Sequence, residues 1–525
     1  MAAELTWEAP GAGDWWLVKE HFPHAVSRMF SSLFPAVTIG WKHGAARYGL
    51  PTGEAQWAAV NGWIYYGPAI PLTSEELAAR QVAAARTLVS SPWRDEVRRW
   101  HDEERPRAVA ANRQLQGEDV GSLDDRGLGR HFQRAVDNFL RWAPLHFEHT
   151  GFNIAAGLLF RAAEGWGLEP AALPELLAGA SPASSAVDAH LRAVADALDR
   201  AGAPVPVATI ADLRAAGSEA AAALDAYLDD YGWRPVAGHD RLEPTLGERP
   251  GLVLAAVNAR RRPRPGNLRP DVAAAVRTAI PESDRKRFDM LLADARSSYA
   301  LRDDDVGVCF NWPLGLVRRA GLEIGRRTAD RDLLADPHHL FEADTDEALA
   351  LLSGQGPTVA ELARRWDIRA RAAIEDPPLH LDGGGRCPGP VDLPPDVARL
   401  SEIRNAVWGV TPPRVDAPLH GVGIGTQAAV GPARVVRHPE ELTRLVDGDV
   451  LVAVATTTAF NAVFPLLSAV VTEEGGLFSH TAILARELGL PAVVGVPGLF
   501  EAIHDGDLIE VDPPAGEVRI VGRAG

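Results

Sequence analysis

Beyond about residue 70, apolar residues recur at three- and four-residue spacing over 74–89, 127–141, 185–201, 218–231 and 284–302, with Ser, Gly or Asp near an end of each stretch. That spacing predicts amphipathic helices. The period changes late in the chain. Short β-branched runs at 428–436, 450–454, 468–472, 508–511 and 518–521, bounded by Gly, Asp or Pro, predict strands. Between the two regimes, 377–395 holds six prolines and four glycines, and Thr411-Pro412-Pro413 follows a short helical segment at 397–407. The pattern predicts a multidomain protein: a mainly α domain over 1–376, a Pro/Gly-rich hinge with a short helix over 377–419, and a small α/β domain over 420–525.

Aromatic residues change the picture at the N-terminal end. Twelve of the 35 fall in the first 66 positions, among them Trp15, Trp16, Phe22, Trp41, Trp57, Trp63, Tyr65 and Tyr66. Such a concentration builds either a thick core or a cleft for a bulky apolar ligand, and core is the expected use for most of them. The net charge of -17 argues against broad binding to a phosphate backbone, so no nucleic-acid partner is expected. Residues 416–525 carry 14 acidic residues against 6 arginines, about half of that excess. Cys309 and Cys387 are too few for a disulfide framework or a thiolate metal site. With no signal-like start and no apolar run approaching a membrane span, the expectation is a cytoplasmic protein without membrane contact.

The chemistry concentrates in Thr472-Glu473-Glu474-Gly475-Gly476-Leu477-Phe478-Ser479-His480-Thr481, followed by a helical run to Gly489. A strand should end at Thr472, a Gly-Gly turn follow, and a helix begin near Ser479. His480 would then sit at a helix N-terminus, where unpaired N–H groups and the helix dipole favour an anion such as phosphate. Gly475 and Gly476 allow close approach of the backbone, and Thr472, Ser479 and Thr481 offer hydroxyls. A histidine has an ordinary pKa of about 6.5, and the dipole lowers it, so His480 should be a neutral imidazole nucleophile toward phosphorus.

Residues 472–495, TEEGGLFSHTAILARELGLPAVVG, resemble the phosphohistidine signature of the swivelling domain of phosphoenolpyruvate-utilising enzymes, and the resemblance extends over about 420–522. It implies that His480 carries a phosphoryl group between sites and that the Pro-rich stretch at 411–418 is a pivot. Tyr227 to Arg234, Leu242-Glu243-Pro244, Glu248-Arg249-Pro250, Val60-Asn61-Gly62 and the 295–302 helix resemble, more loosely, the substrate-binding part of rifampin phosphotransferase-like proteins. Where that family has Tyr-Gly-His-Arg, this chain has Tyr-Gly-Trp-Arg with Trp233. No segment resembles an ATP-grasp domain or a phosphoenolpyruvate-binding barrel. The resemblance therefore implies a phosphotransferase component with no tightly bound cofactor, charged by a separate ATP-grasp protein that binds ATP with Mg, and acting on a small organic acceptor, natural products included.

In phosphoryl transfer the protein supplies positive charge and a base for the incoming hydroxyl. Arg234 and Arg302 are the candidate clamps, because a guanidinium fork matches phosphate. His149, in His146-Phe147-Glu148-His149, and His239 are the candidate bases. The two histidines three apart lack an evident third ligand, and no metal is expected. Arg486, about 240° around the helix from His480, reads as a structural ion pair. Two alternatives stay open: a dehydratase or condensing enzyme driven by phosphorylation, and a ligand-binding protein without catalysis.

Overall fold

The structure is a computed structural model that describes residues 5–524 except 20, 21, 23, 169–172, 237–243, 262–271, 385–391, 409–418, 438, 457–459, 461, 462 and 478. The chain forms two compact units. The first contains residues 5–154 and Asp305–Ile403, and the second contains 155–236, 244–304 and 404–524. The expected division near 376 is not where the units part. The physical reason lies in the core of the second unit.

In that unit, seven strands are ordered β11-β10-β6-β7-β8-β9-β5: β5 Val422–Ile424, β6 Ala429–Val436, β7 Val450–Ala453, β8 Ala469–Thr472, β9 Ala492–Val494, β10 Leu508–Asp512 and β11 Glu517–Gly522. β6 to β9 are parallel neighbours, and β5, β10 and β11 pair antiparallel. Buried on both sides, the central strands are nearly all Val, Leu and Ala, as such a sheet requires. Alternation sorts them: Val450, Val452 and Val471 face a cluster with Leu499, Ile503 and Ile509. Leu451, Val470 and Val494 face the other way, into one continuous cluster with Leu191, Leu198, Leu224, Tyr227, Leu252 and Val257. Those partners belong to helices Pro182–Arg200, Ser218–Tyr231 and Pro250–Arg260. The small α/β domain is thus seated on helices from the middle of the chain.

The first unit holds a four-stranded antiparallel sheet, ordered β2-β3-β1-β4, which the mainly helical expectation for 1–376 did not include: β1 Asp14–Leu17, β2 Glu54–Val60, β3 Trp63–Ile70 and β4 His380–Asp382. β2 and β3 join through Asn61-Gly62, both at positive φ (51° and 87°), the dipeptide that a tight hairpin demands. Helix Pro35–Tyr48 packs against helix Asp125–Glu148 at glycine contacts. A Cβ on Gly40 would lie 2.2 Å from the Pro144 carbonyl oxygen, and one on Gly44 would lie 2.8 Å from that of Glu148. Only glycine permits so close a crossing, and it brings the tail of the longer helix, His146 to His149, under Trp41 and Arg47.

The predicted helices appear as Ser74–Ser90, Asp125–Glu148, Pro182–Arg200, Ser218–Tyr231 and Arg285–Asp305. Two interruptions were not foreseen. Widened π-type turns occupy Trp100–Glu104 and Val306–Asn311, a local geometry often found at functional sites. Cys309 is buried, and Cys387 lies outside the described residues. Among the described residues, no helix is long and apolar enough to cross a membrane.

Candidate functional site

β8 ends at Thr472, its carbonyl receiving Val496 N–H at 3.0 Å, while Glu473 and Glu474 donate backbone N–H bonds to Ala453 and Val454. These bonds clamp the start of the loop to both neighbouring strands. Gly475 then takes φ +128°, and a helix runs from His480 to Leu488. Ser479 is its N-cap: its Oγ accepts from Ala482 N at 3.3 Å, and its own N–H donates to Gly476 O at 2.9 Å. Gly489, at φ +64°, closes the helix in the left-handed conformation, as the sequence pattern predicts.

His480 is therefore the first residue of the helix and is half-buried. The N–H groups of a first helical turn have no acceptor within the helix, so an anion next to this imidazole meets backbone donors and the positive end of the dipole. The expected phosphate ligands divide. Ser479 and the Gly475-Gly476 backbone stand at the helix entrance. Thr481 does not: it is buried, with its hydroxyl 2.8 Å from that of Thr456, inside the domain. Thr472 Oγ1 is sealed from solvent and makes no hydrogen bond among the described residues.

Gly475 is demanding in a way its neighbour is not. A Cβ there would stand 3.0 Å from Ser479 Oγ in a left-handed backbone, whereas one on Gly476 meets nothing within 4 Å. Gly475→Ala is expected to cost about 1–3 kcal/mol and to slow chemical phosphorylation of His480. Gly476→Ala should stay within about 0.5 kcal/mol. Urea melts of the two variants check the difference, and equal costs would contradict the loop geometry.

His480, Ile483 and Glu487 share one face of the helix by their spacing. Ile483, Arg486 and Glu487 line a small open pocket with Pro174, Leu177 and Tyr299. Glu487 accepts the Gly179 N–H at 2.7 Å. Arg486 is buried; its Nε donates to Glu175 at 2.9 Å and its Nη1 to the Leu477 carbonyl at 2.6 Å, so it ties the helix to the loop as a structural ion pair. Arg302 lies one turn beyond Tyr299 on helix Arg285–Asp305, so the fold brings it to the neighbourhood of the carrier helix. Arg234 is not gathered there: its guanidinium stacks 4.5 Å over the Tyr231 ring. His239 lies outside the described residues.

The remaining candidate, His149, belongs to the first unit and is corrected by its surroundings. Its ring is buried, with Nδ1 2.7 Å from Asp305 Oδ2 and Nε2 3.1 Å from Glu104 Oε2. Burial by itself lowers the pKa, but the bonds to Asp305 and Glu104 and the nearby Glu96 charge outweigh it and raise the value to about 10. Both nitrogens are engaged and the ring is a cation, so it has no lone pair for a substrate proton. Around it, Glu96 accepts from Tyr48 OH at 2.8 Å and from Gly151 N at 3.1 Å, and burial pushes its carboxyl up despite these bonds. Arg47 pairs with Glu148 and Arg99 with Glu104. His146, of the same segment, shares the same Asp305, its Nδ1 2.7 Å from Oδ1. These carboxylates stand 45 and 156 positions from His149, beyond any local pattern.

A half-buried histidine thus opens a helix behind a glycine loop, at the end of a parallel strand, the arrangement the sequence predicts for an anion-binding imidazole. Comparison with known families agrees: residues 445–516 match the mobile domain of PEP-utilising enzymes, and residues 149–303 match the fourth domain of rifampicin phosphotransferase.

An uncharacterised phosphotransferase, YvkC of Bacillus subtilis, is 26% identical over 310 residues, 57% of this chain and 36% of that protein. Rifampicin phosphotransferase of Streptomyces sviceus is 28% identical over 327 residues, 58% of this chain and 35% of its own length. Phosphoenolpyruvate synthase of Deinococcus radiodurans is 38% identical over 106 residues, 20% of this chain and 14% of the synthase. The chain spans well under half the length of each of these relatives.

Proposed function

We propose that this protein is the carrier and acceptor-binding part of a phosphotransferase. His480 takes a phosphoryl group from a separate ATP-grasp protein and passes it to a hydroxyl of a small organic acceptor. The observation that carries the reading is His480 at the first position of helix His480–Leu488, half-buried behind Gly475, within the segment that matches the mobile domain. In the charging step the imidazole lone pair forms a P–N bond as the bond from the transferred phosphorus to its leaving oxygen on ATP breaks. In delivery the P–N bond breaks, and its electron pair returns to the ring. Arg302 is the candidate cation for the equatorial oxygens, and the helix entrance holds the phosphoryl group between the two steps.

Phosphoramidate, which phosphorylates histidine without a protein donor, tests the carrier role directly. The expected product is acid-labile, alkali-stable phosphate on the peptide containing His480, formed faster than on the exposed histidines. An isolated ATP-grasp domain with ATP and Mg should place the label on the same residue. Labelling of other histidines while His480 stays unmodified would refute the reading.

A further inference from the structure

His146 stands differently from its sealed neighbour. Its Nδ1 faces Asp305 at 2.7 Å, its side chain is 19% exposed, and Nε2 makes no hydrogen bond among the described residues. Asp305 is fully buried between two imidazoles and accepts from both, from His149 at Oδ2 and from His146 at Oδ1. Asp305 accepts, so the His146 proton that faces it sits on Nδ1, and in that tautomer Nε2 is left as a lone pair. The second carboxylate on His149 matters here. Glu104 and Asp305 together hold His149 as a cation.

Beside this lone pair runs a row of rings. His146 lies 4.8 Å from Phe147, Phe147 5.6 Å from Trp41, Trp41 5.0 Å from Trp57, and Trp57 5.2 Å from Tyr66. Trp41, Trp57, Tyr66 and Phe147 are each only half-buried, unlike Tyr48, Trp63 and Tyr65 of the same unit, which are core. Trp57 Nε1 is shut off from solvent and has no acceptor among the described residues. Aromatic faces left partly open, an unmatched indole donor and an oriented imidazole lone pair together make a site with a chemical preference. The π-type turns at Trp100–Glu104 and Val306–Asn311 adjoin it, one ending in Glu104 and the other following Asp305.

We propose that this row is the acceptor site: a flat, ring-bearing molecule lies on Trp41, Trp57, Tyr66 and Phe147 and presents its hydroxyl to His146 Nε2, which is the general base. This rests on the phosphotransferase reading and names its acceptor class. In the transfer, the hydroxyl proton passes to Nε2, the oxygen lone pair forms the new P–O bond, and the P–N bond of the phosphohistidine breaks with its pair returning to that imidazole. Asp305 is a positioning residue that holds the tautomer.

Equilibrium dialysis of the full chain with 1-naphthol and with naphthalene tests the site without a phosphoryl donor. Naphthol is expected to bind about tenfold more tightly, the worth of one net hydrogen bond. His146→Leu should abolish that preference, Trp41→Ala should weaken both ligands at least several-fold, and His480→Ala should change neither. The unaltered protein gives a second measurement: saturating 1-naphthol should slow diethyl pyrocarbonate modification of His146 several-fold while leaving His480 unprotected. Equal affinities for the two ligands, a preference that survives His146→Leu, or an unprotected His146 would each overturn the proposal. A failure of His480 phosphorylation alongside intact naphthol preference would sink the carrier reading and leave the binding site standing.

Discussion

His480→Ala is expected to eliminate the acid-labile phosphoryl label and to lower phosphoryl transfer by at least roughly 10³-fold, the scale on which loss of a covalent nucleophile acts. The protein should remain folded, because His480 opens its helix at a half-buried position and the cap is made by Ser479 to Ala482 N. His480→Gln keeps a polar side chain of comparable reach and should be equally inactive, which separates nucleophilic loss from a packing defect. Mass spectrometry of the phosphoramidate-treated variants and their thermal melts check both statements. Retention of a label elsewhere at the wild-type rate would move the carrier role to another histidine.

The second large effect is a stability change with a predicted pH signature. His149→Leu leaves the buried Asp305 and the half-buried Glu104 without their shared cation, a defect of about 3 kcal/mol. At roughly 2–4 °C per kcal/mol for a unit of this size, the first unit should melt about 10 °C lower. In the native protein the pKa of His149 is about 10, against about 6.5 for an unfolded histidine. The folded value is the higher one, so the stabilisation is complete below about pH 6.5 and is lost progressively as pH rises toward 10. Few other groups titrate in that window, since Lys19, Lys42 and Lys286 are the only lysines. The melting temperature of the native protein should therefore fall between pH 7 and 10 more steeply than that of His149→Leu. Parallel profiles would show that His149 is not held as a cation.

Much of the carrier domain was legible because its signals are local. The β-branched runs, the Gly475-Gly476 turn, the Ser479 cap and the Gly489 stop each act within a few residues, and they appear as β6, β7, β8, β10, β11 and helix His480–Leu488. The first-unit sheet had an available local signal too, Asn61-Gly62 between two aromatic runs, which marks a hairpin. β4 had none: His380–Asp382 is three residues long and pairs with a strand more than 360 positions earlier.

The division between sequence and tertiary structure follows from the range of the forces involved. Hydrophobic period, turn chemistry and helix caps are properties of neighbouring residues, so the sequence alone determined a helical scaffold, a late α/β domain and a histidine at a helix entrance. Burial and charge pairing depend on residues that only folding brings together. The tertiary structure decided that the α/β domain shares its core with helices Pro182–Arg200 and Pro250–Arg260. It also decided that His149 is locked between Glu104 and Asp305, while His146, three residues away, keeps a nitrogen without a hydrogen bond.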